Sequence, residues 1–405
     1  MKLWDRTQWA GWLAMAARRL TWQVSGRNVA MAGAALLAAG CQVIPKTEPP
    51  APPPPPPVSE PSATVLPTDT GRHRIALLVP LSGDTAPVGQ AIANATTMAL
   101  LDTGADNLRI TTYDTSEGVG AAAGKAIADG NKLILGPLTA DAVPAVQAAA
   151  RPAGVPVIAF ANDPSVASPD VFVIGHMPEQ SILRSVQFAR QRGAARFAVL
   201  VPEGDYGARA YTTLENAVRS FGGTLVRREN YARGNTSIVS AANRLRTAGG
   251  YDTVLIADSS RLAIDASAEL QRGQRTRARI IGTELWSGDA TLARTPGMEG
   301  ALFAAVSDQR FRRFADSYAA RFGAQPYRVA TLGYDAVLLT LNVARDWKVG
   351  TVFPKGQLYD KGGFLGVDGA FRFARNGVVE RALEVREIKG GEVTQIDPAP
   401  TGFGK

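Results

Sequence analysis

A chain of 405 residues is longer than one compact core usually carries, and its 45% apolar content is enough to bury two. Aromatics are only 7% against 41 glycines, which suits helices packed closely on sheets better than an aromatic-rich β sandwich. The single cysteine, Cys41, excludes an internal disulfide, two histidines (His73 and His176) leave no Cys/His cluster for zinc, and a charge of +8 without a recognition motif excludes a nucleic-acid partner.

The first forty residues carry Lys2, Arg6, Arg18, Arg19 and Arg27 against Asp5, and the uncharged stretch 29–39 follows. Five basic minus one acidic residue is +4, so half of the formal charge sits in this segment and about +4 remains beyond it. Eleven apolar residues are too few for a membrane span, which needs about 20, and they fit the h-region of a cleaved export signal over 1–40. Ala38-Ala39-Gly40-Cys41 resembles the lipobox of bacterial lipoproteins. That resemblance implies that the Cys41 thiol is alkylated by diacylglycerol and becomes a membrane-anchored N-terminus. Gln42, where an inner-membrane retention signal would carry aspartate, implies the inner leaflet of the outer membrane, facing the periplasm. A Pro-rich tether over 41–73 comes next, with six prolines at 52–57 and no periodicity that could bury anything. At the polyproline II rise the 31 residues 42–72 reach at most roughly 90–100 Å, as a passive spacer or as a tract recognised by a partner.

From residue 74 the pattern changes. "RIALLVP" is a short apolar run, "LSGD" a turn, and Val88, Ala91, Ile92, Ala95, Met98 and Ala99 recur at helical spacing. Strand, loop and helix repeat with "LRITTYD" and a helix near 119–129, with "KLILGP" and a helix over 140–150, and with "VPVIAFA". Continuous apolar strands alternating with helices predict a parallel sheet with right-handed crossovers. A second series runs through "ARFAVLVP", a helix 206–221, "GTLVRREN", a helix 236–247, "DTVLIAD", a helix 261–271 and "RARIIG". "GALFAAV" precedes helices over 308–322 and 329–345, and the tail alternates around Asn376-Gly377, a β-hairpin signal.

"IALLVPLSG", "LILGPLT", "FAVLVPEGDYG" and "GVDGAFRFARNGVVERALEVREI" together resemble the type I periplasmic binding-protein superfamily of the Leu/Ile/Val-binding kind, over about 320 residues. The resemblance implies an α/β fold of two doubly wound, Rossmann-like lobes joined by a hinge that the chain crosses three times. With crossings near Gly175, Val306 and Lys348, lobe 1 is 74–175 with 307–347 and lobe 2 is 176–306 with 348–405 of the body 74–405. "LLVPLSG…APVGQAIANATTMAL" and "ILGPL" are similar to lipoproteins that activate penicillin-binding proteins, and the anchor and tether fit that branch.

In open parallel sheets ligands bind beyond the C-terminal strand ends, where loops meet helix N-termini. Candidate cleft residues are therefore Ser82, Gly83, Thr139, Asn162 and Asp163 on lobe 1, and Tyr206, Asp258, Glu284 and Trp286 on lobe 2. The resemblance to amino-acid receptors implies Thr139 for an α-carboxylate and Asp258 or Glu284 for an ammonium group. Each Ser, Thr, Asp or Asn is also what any helix N-terminus prefers as a cap.

Enzymatic readings fail on spacing. The glycines from Gly118 to Gly124 before Lys125 match neither register of a P-loop, and no G-x-S-x-G elbow occurs. No cofactor and no metal is expected. The leading expectation is a non-catalytic lipoprotein presenting its body to a cell-wall synthase; the alternative is the amino-acid receptor of an ABC importer, of the branched-chain type.

Overall fold

The computed structural model describes residues 71–274 and 277–403; the expected signal peptide, Cys41 and the tether up to residue 70 lie outside the described residues. The first lobe opens with β1 (His73–Val79), α1 (Ala86–Thr103), β2 (Leu108–Asp114), α2 (Val119–Ala128), β3 (Leu133–Leu135), α3 (Val143–Ala150), β4 (Val157–Ala159) and β5 (Val171–Val173). Its strands form one parallel sheet in the order β2-β1-β3-β4-β5. β1 is apolar without alternation because helices cover both faces: Ile75 to Val79 are all at most 1% exposed. His73 belongs to this strand and not to the tether. It is buried and stacks on Trp347 at 3.9 Å.

α1 turns Gly89, Ile92, Ala95, Thr96 and Ala99 inward, the spacing of one helical face. Gly89 is required there: a Cβ would stand 1.8 Å from the Pro80 carbonyl oxygen, so only a residue without a side chain lets the helix descend onto the strand end.

Past β5 the chain enters the second lobe through α4 (Pro178–Gln191), a helix not foreseen in the sequence. There follow β6 (Arg196–Pro202), α5 (Asp205–Ser220), β7 (Thr224–Tyr231), α6 (Ser237–Ala248), β8 (Thr253–Ile256), α7 (Ser260–Leu270), β9 (Arg279–Ile281) and β10 (Leu302–Ala305). α8 (Asp308–Phe322) and α9 (Thr331–Ala344) return to the first lobe. Phe314 and Tyr318 pack on Ala91, Ala95 and Met98, and Leu332, Val337 and Val343 complete the first core.

A small antiparallel sheet of β11 (Phe364–Gly366), β12 (Gly369–Phe373) and β13 (Val379–Arg381) comes next, turning at Asn376-Gly377. β14 (Glu384–Lys389) and β15 (Glu392–Asp397) then extend the second sheet to β15-β14-β10-β9-β8-β6-β7. One boundary differs from expectation. Phe353, Leu358, Phe364, Phe371, Phe373 and Val379 lie in the first lobe's core, and Val173 N–H donates to the Gly377 carbonyl at 2.9 Å. The third crossing therefore falls at 382–383 and not near Lys348. Only β14 and β15 belong to lobe 2, because the hairpin at Asn376-Gly377 buries its aromatic face against Phe172.

Candidate functional site

The C-terminal ends of both sheets face one cleft, and a pocket of about 340 Å³ lies between the lobes. The first lobe contributes Leu138 and Thr139 after β3, Phe160 and Asn162 after β4, His176 at the first crossing, Arg328 and Val329 in the short 3-10 turn before α9, and Leu332 in its first turn. The second lobe contributes Glu284, Leu285 and Ser287 after β9. The volume is at the small end of the range for small-molecule sites.

Arg328 is the anchored cation of the pocket. Its Nη1 pairs with Asp368 Oδ1, its Nε lies 3.3 Å from Ser287 Oγ on the opposite lobe, and its guanidinium sits over the Phe311 ring at 4.2 Å. Its Nη2 is buried without a protein partner. Asp368 is fully buried and consumed on every side, accepting from Thr331 Oγ1 at 2.8 Å and meeting His176 Nε2 at 2.7 Å. Burial would push its carboxyl up, but Arg328, His176 and Arg381 outweigh that and hold it well below the usual carboxylate range. The neighbouring Asp335 moves the opposite way, raised by its own burial and by the Asp368 charge. Gly366 closes over Asp335; a Cβ there would stand 2.4 Å from the carboxylate. His176 is lowered by burial despite Asp368, which favours the neutral ring.

Glu284 is the matching group on the other lobe. Its Oε1 accepts from the Tyr206 hydroxyl at 3.2 Å, while Oε2 is buried with no partner. Burial pushes its carboxyl up to about 8, against the pull of the Tyr206 hydrogen bond and Arg209. Tyr206 also contacts Thr283 Oγ1 at 3.0 Å, so the hydroxyl pair fixes the orientation of the acid. Beside the pocket Arg209 spans the lobes, with Nε on Glu179 at 2.8 Å, Nη1 3.3 Å from Asp163 and Nη2 on the Asn162 carbonyl at 2.7 Å. Deeper between the lobes, Gln180, Glu284, Arg328 and Arg381 border a void of about 20 Å³, room for one water. Among the described residues no three His, Cys, Asp or Glu side chains converge to hold a metal ion.

The structure thus brings Thr139, Asn162 and Glu284 to the pocket, with Tyr206 behind Glu284 and Asp163 in the Arg209 bridge. Four candidates stand elsewhere. Ser82 and Gly83 are exposed in a loop tied to Ser116 and Asp114, outside the pocket. Trp286 is fully buried in the second core, edge-on to Phe303, its indole N–H donating to the Asp258 carbonyl at 2.9 Å. Asp258 is buried and taken up by Tyr231 at 2.7 Å, Arg233 at 2.8 Å and the Ser259 N–H at 2.7 Å, which leaves nothing for a ligand. Sequence reasoning did not single out Arg328, Ser287 or Asp368. Asp368 stands between Gly366 and Gly369, the one local hint, and Arg328 has none.

A profile of the family described as periplasmic binding protein matches residues 73–392. A putative branched-chain amino acid ABC transporter protein from Rhodospirillum rubrum superposes with a TM-score of 0.68 at 20% identity, covering 80% of this chain and 100% of its own. A substrate-binding protein of a branched-chain amino acid transporter from Streptococcus pneumoniae, solved with isoleucine, gives 0.61 at 20% identity, covering 81% and 100%. A solute-binding protein of an ABC transporter from Rhodopseudomonas palustris BisB5, solved with 3,4-dihydroxybenzoic acid, gives 0.66 at 18% identity, covering 82% and 99%. An uncharacterized protein of Rickettsia prowazekii is 26% identical over 189 residues, 46% of this chain, and the match spans about half of that relative's length (51%). Two parallel sheets facing a cleft, the strand order of each and the profile over both lobes agree: the chain has the type I periplasmic binding-protein fold and belongs to the periplasmic binding protein family.

Proposed function

We propose that the protein is a non-catalytic periplasmic receptor that closes its lobes on a small organic solute bearing a carboxylate and delivers it to an ABC importer. The observation that carries this reading is the pocket of about 340 Å³ between the lobes, walled by Arg328 on one lobe and by Glu284 on the other. An arginine and a carboxyl side chain on opposite walls suit a solute that contacts both lobes and so favours the closed form. Leu138, Phe160, Val329 and Leu332 supply an apolar wall for the rest of the solute. The structural neighbours solved with isoleucine and with 3,4-dihydroxybenzoic acid hold small solutes that carry a carboxylate. Export by the segment 1–40 and a lipid on Cys41 are part of the proposal. Activation of a cell-wall synthase, the leading expectation from the sequence, has the tether in its favour but makes no use of the cleft, and the relatives favour the receptor.

Calorimetry and thermal unfolding of the purified chain against a panel of amino and organic acids test this. A solute at a hundredfold excess over its Kd should add about 2.7 kcal/mol of stability. Arg328→Met should weaken that binding by at least about tenfold, because it removes a charge-assisted hydrogen bond worth about 1.5–3 kcal/mol. The reading is lost if no solute shifts unfolding while a synthase copurifies.

A further inference from the structure

We propose that Arg209 is a latch that draws the lobes together before any solute enters, and that Glu179 is where its guanidinium parks when the cleft opens. Arg209 is then a positioning residue: it holds the loop that carries Asn162 to the opposite lobe and sets how often the cleft opens, without touching the solute. The latch rests on the receptor reading only for its purpose, since it acts on the two lobes themselves.

Several bonds between the lobes sit at the chain crossings, where opening moves atoms least. Gln180 on α4 donates to the Val379 carbonyl and accepts from the Arg381 N–H at 2.9 Å, beside the third crossing. Asp308, just past the second, pairs with Arg386 and accepts from Ser287 Oγ at 3.2 Å. Arg209 is placed differently. It belongs to α5 of the second lobe, and its Nη2 donates to the Asn162 carbonyl at 2.7 Å while Nη1 lies 3.3 Å from Asp163 Oδ2, both in the loop after β4 of the first. Its side chain is 22% exposed and that of Asp163 20%, so water screens this pair only in part.

Both ends of the latch are built in advance. Asp163 caps the short turn Pro164–Val166, and its Oδ1 accepts from the Ser165 N–H at 2.9 Å, which fixes the carboxylate and leaves Oδ2 for the arginine. On the second lobe Glu179 of α4 accepts from Arg209 Nε through Oε1 at 2.8 Å, which aims the guanidinium at the first lobe. Glu179 also has an oxygen to spare. Its Oε2 is buried with no protein partner, where a buried carboxylate oxygen is normally paired. When the lobes part, Arg209 loses Asn162 and Asp163 and turns a freed Nη onto Oε2, forming the two-bond fork of an arginine and a carboxylate. The guanidinium is thus paired in both states, which makes closure reversible. A solute enters the open form and is held by the closed one, so the latch slows both entry and escape.

The test needs no solute. In the full chain with Cys41→Ser, Asp141→Cys and Glu203→Cys place spin labels at exposed sites after β3 and β6, one on each lobe. Double electron–electron resonance should give one short distance for this parent. Arg209→Gln should raise the ratio of long to short distances by at least about tenfold, the factor that a charge-assisted hydrogen bond is worth. Asp163→Asn, which keeps an acceptor for the Ser165 N–H and leaves α5 untouched, should shift the ratio the same way by less. Hydrogen exchange in the variants should speed up at 283–287 as well as at 162–167, because opening uncovers both walls of the pocket, whereas a merely local role loosens 162–167 alone. A long distance in the parent, an unchanged short one in both variants, or faster exchange confined to 162–167 would each overturn the latch. None of these outcomes decides whether a solute binds, which the calorimetric panel settles, so the latch and the receptor reading fail separately.

Discussion

The two lobes begin with the same device and use it differently. A proline stands at the end of each first strand, Pro80 just after β1 and Pro202 as the last residue of β6, and each following helix carries a glycine, Gly89 or Gly207, whose Cβ would stand 1.8 or 1.7 Å from that proline's carbonyl oxygen. Eight residues (81–88) separate proline from glycine in the first lobe and four (203–206) in the second. The longer loop folds outward, where its backbone N–H groups bind Asp114 and Ser116, and Ser82 and Gly83 leave the cleft. The shorter one has no length to fold away, and it places Tyr206 against Glu284. The same strand–helix junction thus carries a site residue in one lobe and only a loop in the other, and loop length decides which.

The largest effect is expected in the second lobe's core, beneath the loop that carries Glu284. Trp286→Ala should destabilise the protein by about 3–5 kcal/mol in urea denaturation, the usual cost of emptying an aromatic core site. The side chain is fully buried against Phe303 in the second lobe. A loss below about 1 kcal/mol would mean that the indole faces the cleft after all. The shared junction is tested next. Gly89→Ala and Gly207→Ala should each cost about 1–3 kcal/mol, because the added methyl meets a backbone oxygen that cannot yield. Unequal melting shifts in the two variants would break the equivalence of the lobes. The smallest effects should come from the loops themselves. Tyr206→Phe should weaken solute binding by a few-fold to about tenfold, the worth of one hydrogen bond, by freeing Glu284 Oε1. Ser82→Ala, at an exposed position outside the pocket, should change neither binding nor stability beyond about 0.5 kcal/mol.

Much of the fold was legible because strand and helix periods are written locally. The runs 75–79 and 197–201 are apolar without alternation, as strands covered on both faces must be, and α8 matches the helix expected over 308–322. The misplaced third crossing has a physical cause. Asn376-Gly377 announces a hairpin, but nothing in the local pattern says that Phe371, Phe373 and Val379 bury against Phe172 and not against the second sheet. The site was legible in part for the same reason. Loops after β3, β4 and β9 were found from strand ends, and Thr139, Asn162 and Glu284 lie there. Trp286 and Asp258 occupy the same kind of loop and turn inward, the indole N–H donating to the Asp258 backbone carbonyl and the Asp258 carboxylate accepting from Tyr231 and Arg233.

The sequence by itself determined that the chain alternates strands and helices twice over, that each series buries an apolar sheet, and that ligand chemistry belongs at the loop ends. Periodicity and turn chemistry act over a few residues and need no partner. Which polar groups stay free was decided by tertiary structure alone. His176 meets Asp368 across 192 positions, Arg209 reaches Asn162 across 47, and Tyr206 reaches Glu284 across 78. A carboxylate can serve a solute only when no such distant partner has claimed it, and burial then fixes whether it meets that solute as a charge or as a donor.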